Sequence, residues 1–361
     1  MQVAFRTDAS LEIGTGHVMR CLTLADALRE RGAACRFVCR ELPGNLIAEI
    51  RQRGYQAHVL PSPTTAYYRP AAAPAHAAWL GVTPALDAEQ TLAALGAGVD
   101  WLVLDHYAVD AGWESLLRPA CQRLLVIDDL AERPHLADLL LDQNLGRRAA
   151  DYEALLPAGC RRLIGPAHAL LRPEFAARRA ASLARRQAGK LRQVLVSMGG
   201  IDKDNATGAV LAALPLGLLP GDCRIIVVMG AHAPWRDAVA AQVADLPWPA
   251  EMRVSVADMA MLIADSDLAI GAAGTSAWER CCLGLPSLTA VLAANQQSGA
   301  AALQAAGCVE LIGKTASGFE DLPEKLAVVL APGRLVAMQA ACAALTDGLG
   351  ASRLAVEMMH A

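Results

Sequence analysis

Aromatic side chains are scarce in this chain, 4% of 361 residues, too few for the stacking platforms that grip single-stranded nucleic acid. No positive charge compensates. The 32 Lys and Arg against 36 Asp and Glu leave a formal net charge of −4, with the signs interleaved rather than gathered into the basic stripe that phosphate neutralisation needs. Long apolar runs are missing as well: the stretch Val210–Pro220 is too short to span a bilayer and is broken by proline. The opening MQVAFRTDAS sets Arg6 and Asp8 where a secretory signal would carry its apolar segment. The ten cysteines form no CxxC pair and show no zinc spacing, so they read as reduced, small core residues. Nucleic acid and membrane are therefore set aside as partners. A cytoplasmic monomer is the expectation.

What is present is a chain with 54% apolar residues, in which short β-rich runs alternate with amphipathic helical stretches. Val3–Phe5, Arg36–Cys39, Ala57–Leu60, Trp101–Leu104, Leu124–Ile127 and Leu139–Leu141 read as strands. His17–Glu30, Asn45–Arg53, Asp87–Leu95 and Gly112–Cys121 read as the helices among them. That order predicts an α/β fold with a parallel sheet covered on both faces. A charged Ala/Arg-rich stretch around 171–190 interrupts it and reads as a linker, helical in part. The alternation then resumes with strands at Val194–Ser197, Cys223–Val228, Met252–Val254, Leu268–Ile270 and Ser287–Thr289. The expectation is two doubly wound domains, 1–170 and 191–345, followed by a last segment, 346–361.

In open parallel sheets ligands sit beyond the carboxyl ends of strands, so the residues just after each strand carry the functional reading. After Val3–Phe5 come Arg6, Asp8, Gly14, Gly16 and His17. The glycines permit a tight turn and close approach of a ligand, and the helix that follows offers free amides to an anion. At the start of that helix the positive dipole end disfavours imidazolium by about 0.3–1 kcal/mol, which suits His17 to a general base. A capping or packing histidine is the competing reading. Met198, Gly199 and Gly200 follow a strand of the second half, as a ligand-contacting turn or as a plain strand-to-helix turn. Ala273, Gly274 and Thr275 lead into a helix whose first turn suits a diphosphate. Glu279, one turn further in, can accept from ribose hydroxyls, or can be a solvated helix-face acid. Asn295 and Gln296 open the next helix. Asp105-His106-Tyr107 and Asp128-Asp129 follow two strands of the first half, the former expected to face the cleft and Asp128 and Asp129 reading as capping and hydrogen-bonding acids. Asp128-Asp129 make no DxD motif, and no metal or cofactor is called for.

Taken in chain order, FRTD, IGTGHVMRC, LDHY, IDDL, SMGGID, GAAGTSAWE and ANQ resemble the UDP-sugar hydrolases of pseudaminic acid biosynthesis. Those enzymes release UDP from UDP-2,4-diacetamido-2,4,6-trideoxy-β-L-altropyranose. The second half also resembles the UDP-binding domain of the glycosyltransferases that make lipid II. The resemblance implies a GT-B architecture, two Rossmann-like domains facing across a cleft, with a C-terminal helix crossing back to the first. It implies that His17 activates water, that Tyr107 and Asn295 are active-site residues, and that Met198–Gly200, Gly274, Thr275 and Glu279 hold UDP. Attack at the anomeric carbon with inversion, C–O cleavage and independence of metal complete what it implies. The stretch 61–84 has no counterpart in the resemblance, and GAAGTSAWE has fewer hydroxyls than the family's version. An inverting glycosyltransferase, a UDP-sugar 2-epimerase using Asp105 with Asp128 or Asp129, and a non-catalytic UDP-sugar sensor remain open.

Overall fold

The computed structural model describes residues 1–63, 76–316 and 318–361. The chain divides into two compact units, one of residues 1–170 together with 351–361, the other of residues 171–350.

The first unit is built on seven parallel strands: β1 Gln2–Thr7, β2 Ala34–Arg40, β3 Gln56–Leu60, β4 Val99–Asp105, β5 Cys121–Ile127, β6 Leu139–Asp142 and β7 Arg161–Ile164. Their order across the sheet is β3-β2-β1-β4-β5-β6-β7. Alternation along each strand divides the apolar residues between two faces. Val3, Phe5, Trp101, Val103, Leu125 and Ile127 enter one core with the helix Gly16–Arg29. Ala4, Leu102, Leu104, Leu124 and Val126 enter the other, with Trp113 and Leu117 from the helix Ala111–Leu117. The final helix, Gly350–His360, delivers Leu354, Ala355 and Met358 to the first of these cores, and the Trp101 indole N–H donates to the Met358 carbonyl.

The second unit holds six parallel strands: β8 Gln193–Ser197, β9 Arg224–Met229, β10 Ala250–Val254, β11 Leu268–Ala272, β12 Ser287–Ala290 and β13 Val309–Ile312. They lie in the order β10-β9-β8-β11-β12-β13. Much of the stretch read as a linker is a helix, Pro173–Arg186, and it is tied into this unit. Buried Arg186 donates to the carbonyls of Ser266 and Leu283, and Ser182 Oγ donates to the latter as well.

Both sheets reverse direction of winding at one place, between β1 and β4 in the first and between β8 and β11 in the second. In doubly wound folds such a reversal, at the strands' carboxyl ends, is where ligands bind. The β1 and β4 loops carry His17 and Tyr107. The β8 and β11 loops carry Gly199 and Gly274.

Candidate active site

Register brings the first site together. Thr7 at the end of β1 pairs with Asp105 at the end of β4, so the loop after β1 and the last side chain of β4 share one edge. That loop turns at Ser10, whose Oγ accepts from the amides of Glu12 and Ile13 and whose carbonyl accepts from Gly14 at 2.8 Å. Gly14 takes φ +79° with nothing within 4 Å of where a Cβ would stand, a conformation that favours glycine. The helix begins at Gly16, placing His17 in its first turn.

His17 Nδ1 lies 2.6 Å from Asp105 Oδ1. Arg20, one turn further along the helix, clamps the same carboxylate through Nε at 2.6 Å and Nη2 at 2.7 Å and reaches Asp129 through Nη1 at 2.7 Å. Burial pushes the Asp105 carboxyl up, but Arg20 and His17 outweigh it and hold the group well below the usual carboxylate range. A carboxylate beside Nδ1 fixes the tautomer: Nδ1–H donates to Asp105 and Nε2 keeps the lone pair. Asp105 thus orients the imidazole by direct contact, where the sequence pointed only to the helix dipole. Asp105 and Arg20 are the partners that sequence reasoning missed as such, because they meet only through strand register.

The Tyr107 ring stands edge-on to the His17 ring at a centroid distance of 4.6 Å. Its hydroxyl donates to Asp129, and burial together with that carboxylate raises the phenol well above its ordinary value. Tyr107 is 4% exposed, so its phenol is committed to the protein and its ring to the imidazole. Asp129 also accepts from Asn144 Nδ2 at 2.8 Å. Asp128 is engaged by Arg133, Tyr152 and the amide of Ala131, a structural role. Asp105 with Asp128 or Asp129 is therefore no free carboxylate pair of the kind an epimerase would use.

The candidates Arg6 and Asp8 are held among neighbouring side chains. Both side chains are fully buried and pair with each other at 2.7 Å. Arg6 also pairs with Asp87 at 2.6 Å, which in turn accepts from Arg40 at 2.7 Å and from the Trp113 indole at 3.1 Å. Asp8 further accepts the Arg40 amide and faces His106. Residues so enclosed frame the loop and do not present their side chains to a ligand. Of the 61–84 stretch, residues 64–75 lie outside the described ones. Its end does not: the 3₁₀ turn Ala77–Leu80 sets Trp79 on Tyr107, 5.5 Å between ring centroids and 23° between planes, and 6.1 Å from the His17 ring.

In the second unit Gly199 takes φ +104°, and Asp202 accepts from the amides of Ala206 and Thr207, capping the next helix. The Met198 side chain is buried in the core, which leaves its backbone at the turn. Gly230 at the end of β9 packs so close to Gly200 that a Cβ there would stand 2.0 Å from the Gly200 carbonyl oxygen. After β11, Thr275 is exposed and Gly274 half-buried; the helix Ser276–Cys282 follows. In its first turn the amides of Ala277 and Trp278 donate to the carbonyls of Gly274 and Thr275 at 2.9 and 3.1 Å. Arg280, absent from the sequence-based candidates, fixes this loop from beneath: it donates to the Ala272 carbonyl at 2.9 Å, Ser276 Oγ at 3.1 Å and Ser287 Oγ at 3.1 Å. Glu279 has its carboxyl pushed up by burial against the pull of Arg172, whose Nη2 stands 3.9 Å away. Asn295 is exposed. Gln296 turns Oε1 to the Leu292 amide at 3.0 Å and sets Nε2 beside Gly274, 3.9 Å from where a Cβ would stand. His17 and Tyr107 thus belong to one unit and the Gly199, Gly274, Glu279 and Asn295 group to the other.

No family model matches the chain. Over 216 residues, 60% of this chain, it is 29% identical to the UDP-2,4-diacetamido-2,4,6-trideoxy-β-L-altropyranose hydrolase of Campylobacter jejuni. The matched stretches span 66%, 54% and 35% of the lengths of that protein and two further relatives, less than two thirds in each case. Among solved structures, MurG of Acinetobacter baumannii aligns over 100% of this chain and 99% of its own, with TM-score 0.70 and 16% identity. The Arabidopsis thaliana protein UGT89C1, solved with UDP-L-rhamnose, aligns over 99% of this chain and 98% of its own, with TM-score 0.63 and 14% identity. By fold the chain is of the GT-B type, and by sequence it resembles the Campylobacter UDP-sugar hydrolase.

Proposed function

We propose that the chain hydrolyses a UDP-linked 2,4-diacetamido-2,4,6-trideoxy hexose, the reaction named for its Campylobacter relative and a step of pseudaminic acid biosynthesis. The observation that carries this reading is the His17–Asp105–Arg20 assembly at the β1/β4 reversal. An imidazole whose Nδ1 is engaged by a carboxylate is equipped to take a proton at Nε2.

In this reading the loops of Gly199–Gly200 and Gly274–Ser276 hold the diphosphate through backbone amides, and Glu279 takes the ribose. Those amides stabilise the charge that grows on the leaving group. Water attacks the anomeric carbon opposite the diphosphate. A C–O bond to water forms, the bond to the phosphate oxygen breaks with its electron pair leaving on UDP, and the water's proton passes to His17 Nε2. Asp105 stabilises the imidazolium so formed, and Tyr107 keeps the ring in plane for the transfer. Asn295 assists in positioning sugar or water. The chain acts in the cytoplasm as a monomer without a metal.

The test is purified protein with the UDP-sugar and no acceptor, followed by anomer-resolved NMR. UDP and an inverted free sugar are expected. His17→Asn should lower turnover roughly 100- to 10,000-fold and leave UDP affinity unchanged; undiminished turnover overturns the assignment. A second reading, an inverting glycosyltransferase, draws on the neighbours of the MurG type. It requires that UDP release wait for an acceptor hydroxyl.

A further inference from the structure

In a chain so poor in aromatics, three rings gather around His17. Trp79 stacks on Tyr107, and His76 meets both, 4.6 Å from Trp79 and 5.2 Å from Tyr107 between centroids. His17 meets Trp79 and Tyr107 edge-on. Trp79 and His76 come from the end of the 61–84 stretch, which has no counterpart in the family resemblance.

The carboxylates and the phenol beneath this cluster are already engaged. Asp105 and Asp129 are held by Arg20, and the Tyr107 hydroxyl by Asp129. His76 Nδ1 is buried without a hydrogen-bond partner, and burial lowers that ring's pKa, so it adds a neutral surface. Tyr107 is covered, while Trp79 remains partly exposed. The partly exposed ring next to the imidazole is therefore an indole, while Arg133 lies on the Tyr107 ring, 5.8 Å from its centroid, and pairs with Glu132 at 3.6 Å.

We propose that Trp79, braced by His76 and Tyr107, is the specificity-determining wall beside His17 and takes the CH-rich, deoxygenated face of the hexose. The proposal rests on the hydrolase reading above for the identity of the base. It deepens that reading: a wall of this kind favours a sugar lacking a hydroxyl on the face it meets, because a hydroxyl pressed on it loses water without gaining a partner.

Binding is measured on the His17→Asn protein by calorimetry, so that the substrates stay intact. The probes are UDP, UDP-N-acetylglucosamine, which carries a C6 hydroxyl, and a UDP-2,4-diacetamido-2,4,6-trideoxy hexose. The trideoxy sugar is expected to bind more tightly than its hydroxylated counterpart. Trp79→Ala should narrow that preference by about tenfold while UDP alone binds as before, a loss in keeping with withdrawing an aromatic face from apolar contact. Trp79→Phe, which retains a ring on Tyr107, should lose about threefold and serves as the test should the alanine variant not fold. An unchanged preference in the folded variants, or a loss that falls equally on UDP, overturns the proposal. Failure of the hydrolase reading shows separately, as absence of UDP release by the unsubstituted protein, and the binding comparison does not depend on it.

Discussion

Asp105 Oδ1 stands 2.6 Å from the His17 Nδ1 although 88 residues separate them in the chain. The contact decides which imidazole nitrogen can act. An asparagine at 105 can turn its amide N–H toward Nδ1, which moves the ring proton to Nε2 and removes the lone pair that would receive a proton from water. Asp105→Asn is therefore expected to lower turnover by roughly 100-fold or more, with little change in the affinity for UDP. Steady-state kinetics and UDP calorimetry check this; full activity in the variant would show that the carboxylate is not what orients the base.

Asp142 gives the first unit an unusual pH dependence. Burial, reinforced by Asp129, raises its carboxyl from the ordinary 3.8 to about 6, although Asn144, Tyr152 and Arg147 all bond it. Between about pH 4 and 6 the folded chain then holds a proton that the unfolded chain has lost. This contribution to stability is complete below the unfolded value and vanishes as pH rises through the folded one, on the order of 3 kcal/mol in all. Asp8 and Asp105 run the other way. Burial raises each, but Arg6 and Arg20 prevail and hold them low, so their contribution is present above about pH 4 and fades in stronger acid. Thermal unfolding followed across this range should show a fall in Tm from about pH 4 to 6 that Asp142→Asn abolishes.

Asp87 is the acid that Arg6 and Arg40 share, with a third bond from the Trp113 indole. Asp87→Ala leaves two enclosed guanidinium groups short of a counter-charge, a change that typically costs about 3–5 kcal/mol. Denaturant unfolding should register that loss. A variant as stable as the parent would mean that water reaches the two arginines.

Gly230→Ala probes the loop proposed to hold the diphosphate. The new methyl would meet the Gly200 carbonyl oxygen at 2.0 Å, so the backbone of one loop must move. Overpacking of this kind costs about 1–3 kcal/mol, and UDP affinity should drop together with Tm. Gly221→Ala, with open space at its Cβ, is the matched control and should change neither. Equal effects at both positions would dissociate the Gly200 turn from UDP binding.

The strands that lie inside the sheets were legible because their apolar runs are continuous: Trp101–Leu104 and Leu124–Ile127 fall within β4 and β5. Of the edge strands, β3 and β10 were legible as well, but β7 and β13 were not. β7 reads RRLI and β13 VELI, each four residues long with charge among the apolar positions, the marks of a sheet edge and also of a loop. His17 was legible from its turn, since glycines and a helix start are local features. Its neighbours were not: Asp105 arrives by strand register, and Trp79 lies in a stretch whose Pro and Ala content hides any period. The enclosure of Arg6 and Asp8 likewise follows from partners as distant as Asp87, 81 residues from Arg6, which no local pattern announces.

The final helix has a further consequence through the Met358 carbonyl and the apolar residues it adds to the first core. During synthesis, the opening sheet emerges from the ribosome long before the piece that completes it. The lobe carrying His17 must therefore wait, with part of its interior bare, until residues 351–361 have been made. Any attempt to produce that lobe alone has to splice its tail onto residue 170, or leave a hole where Leu354 and Met358 belong.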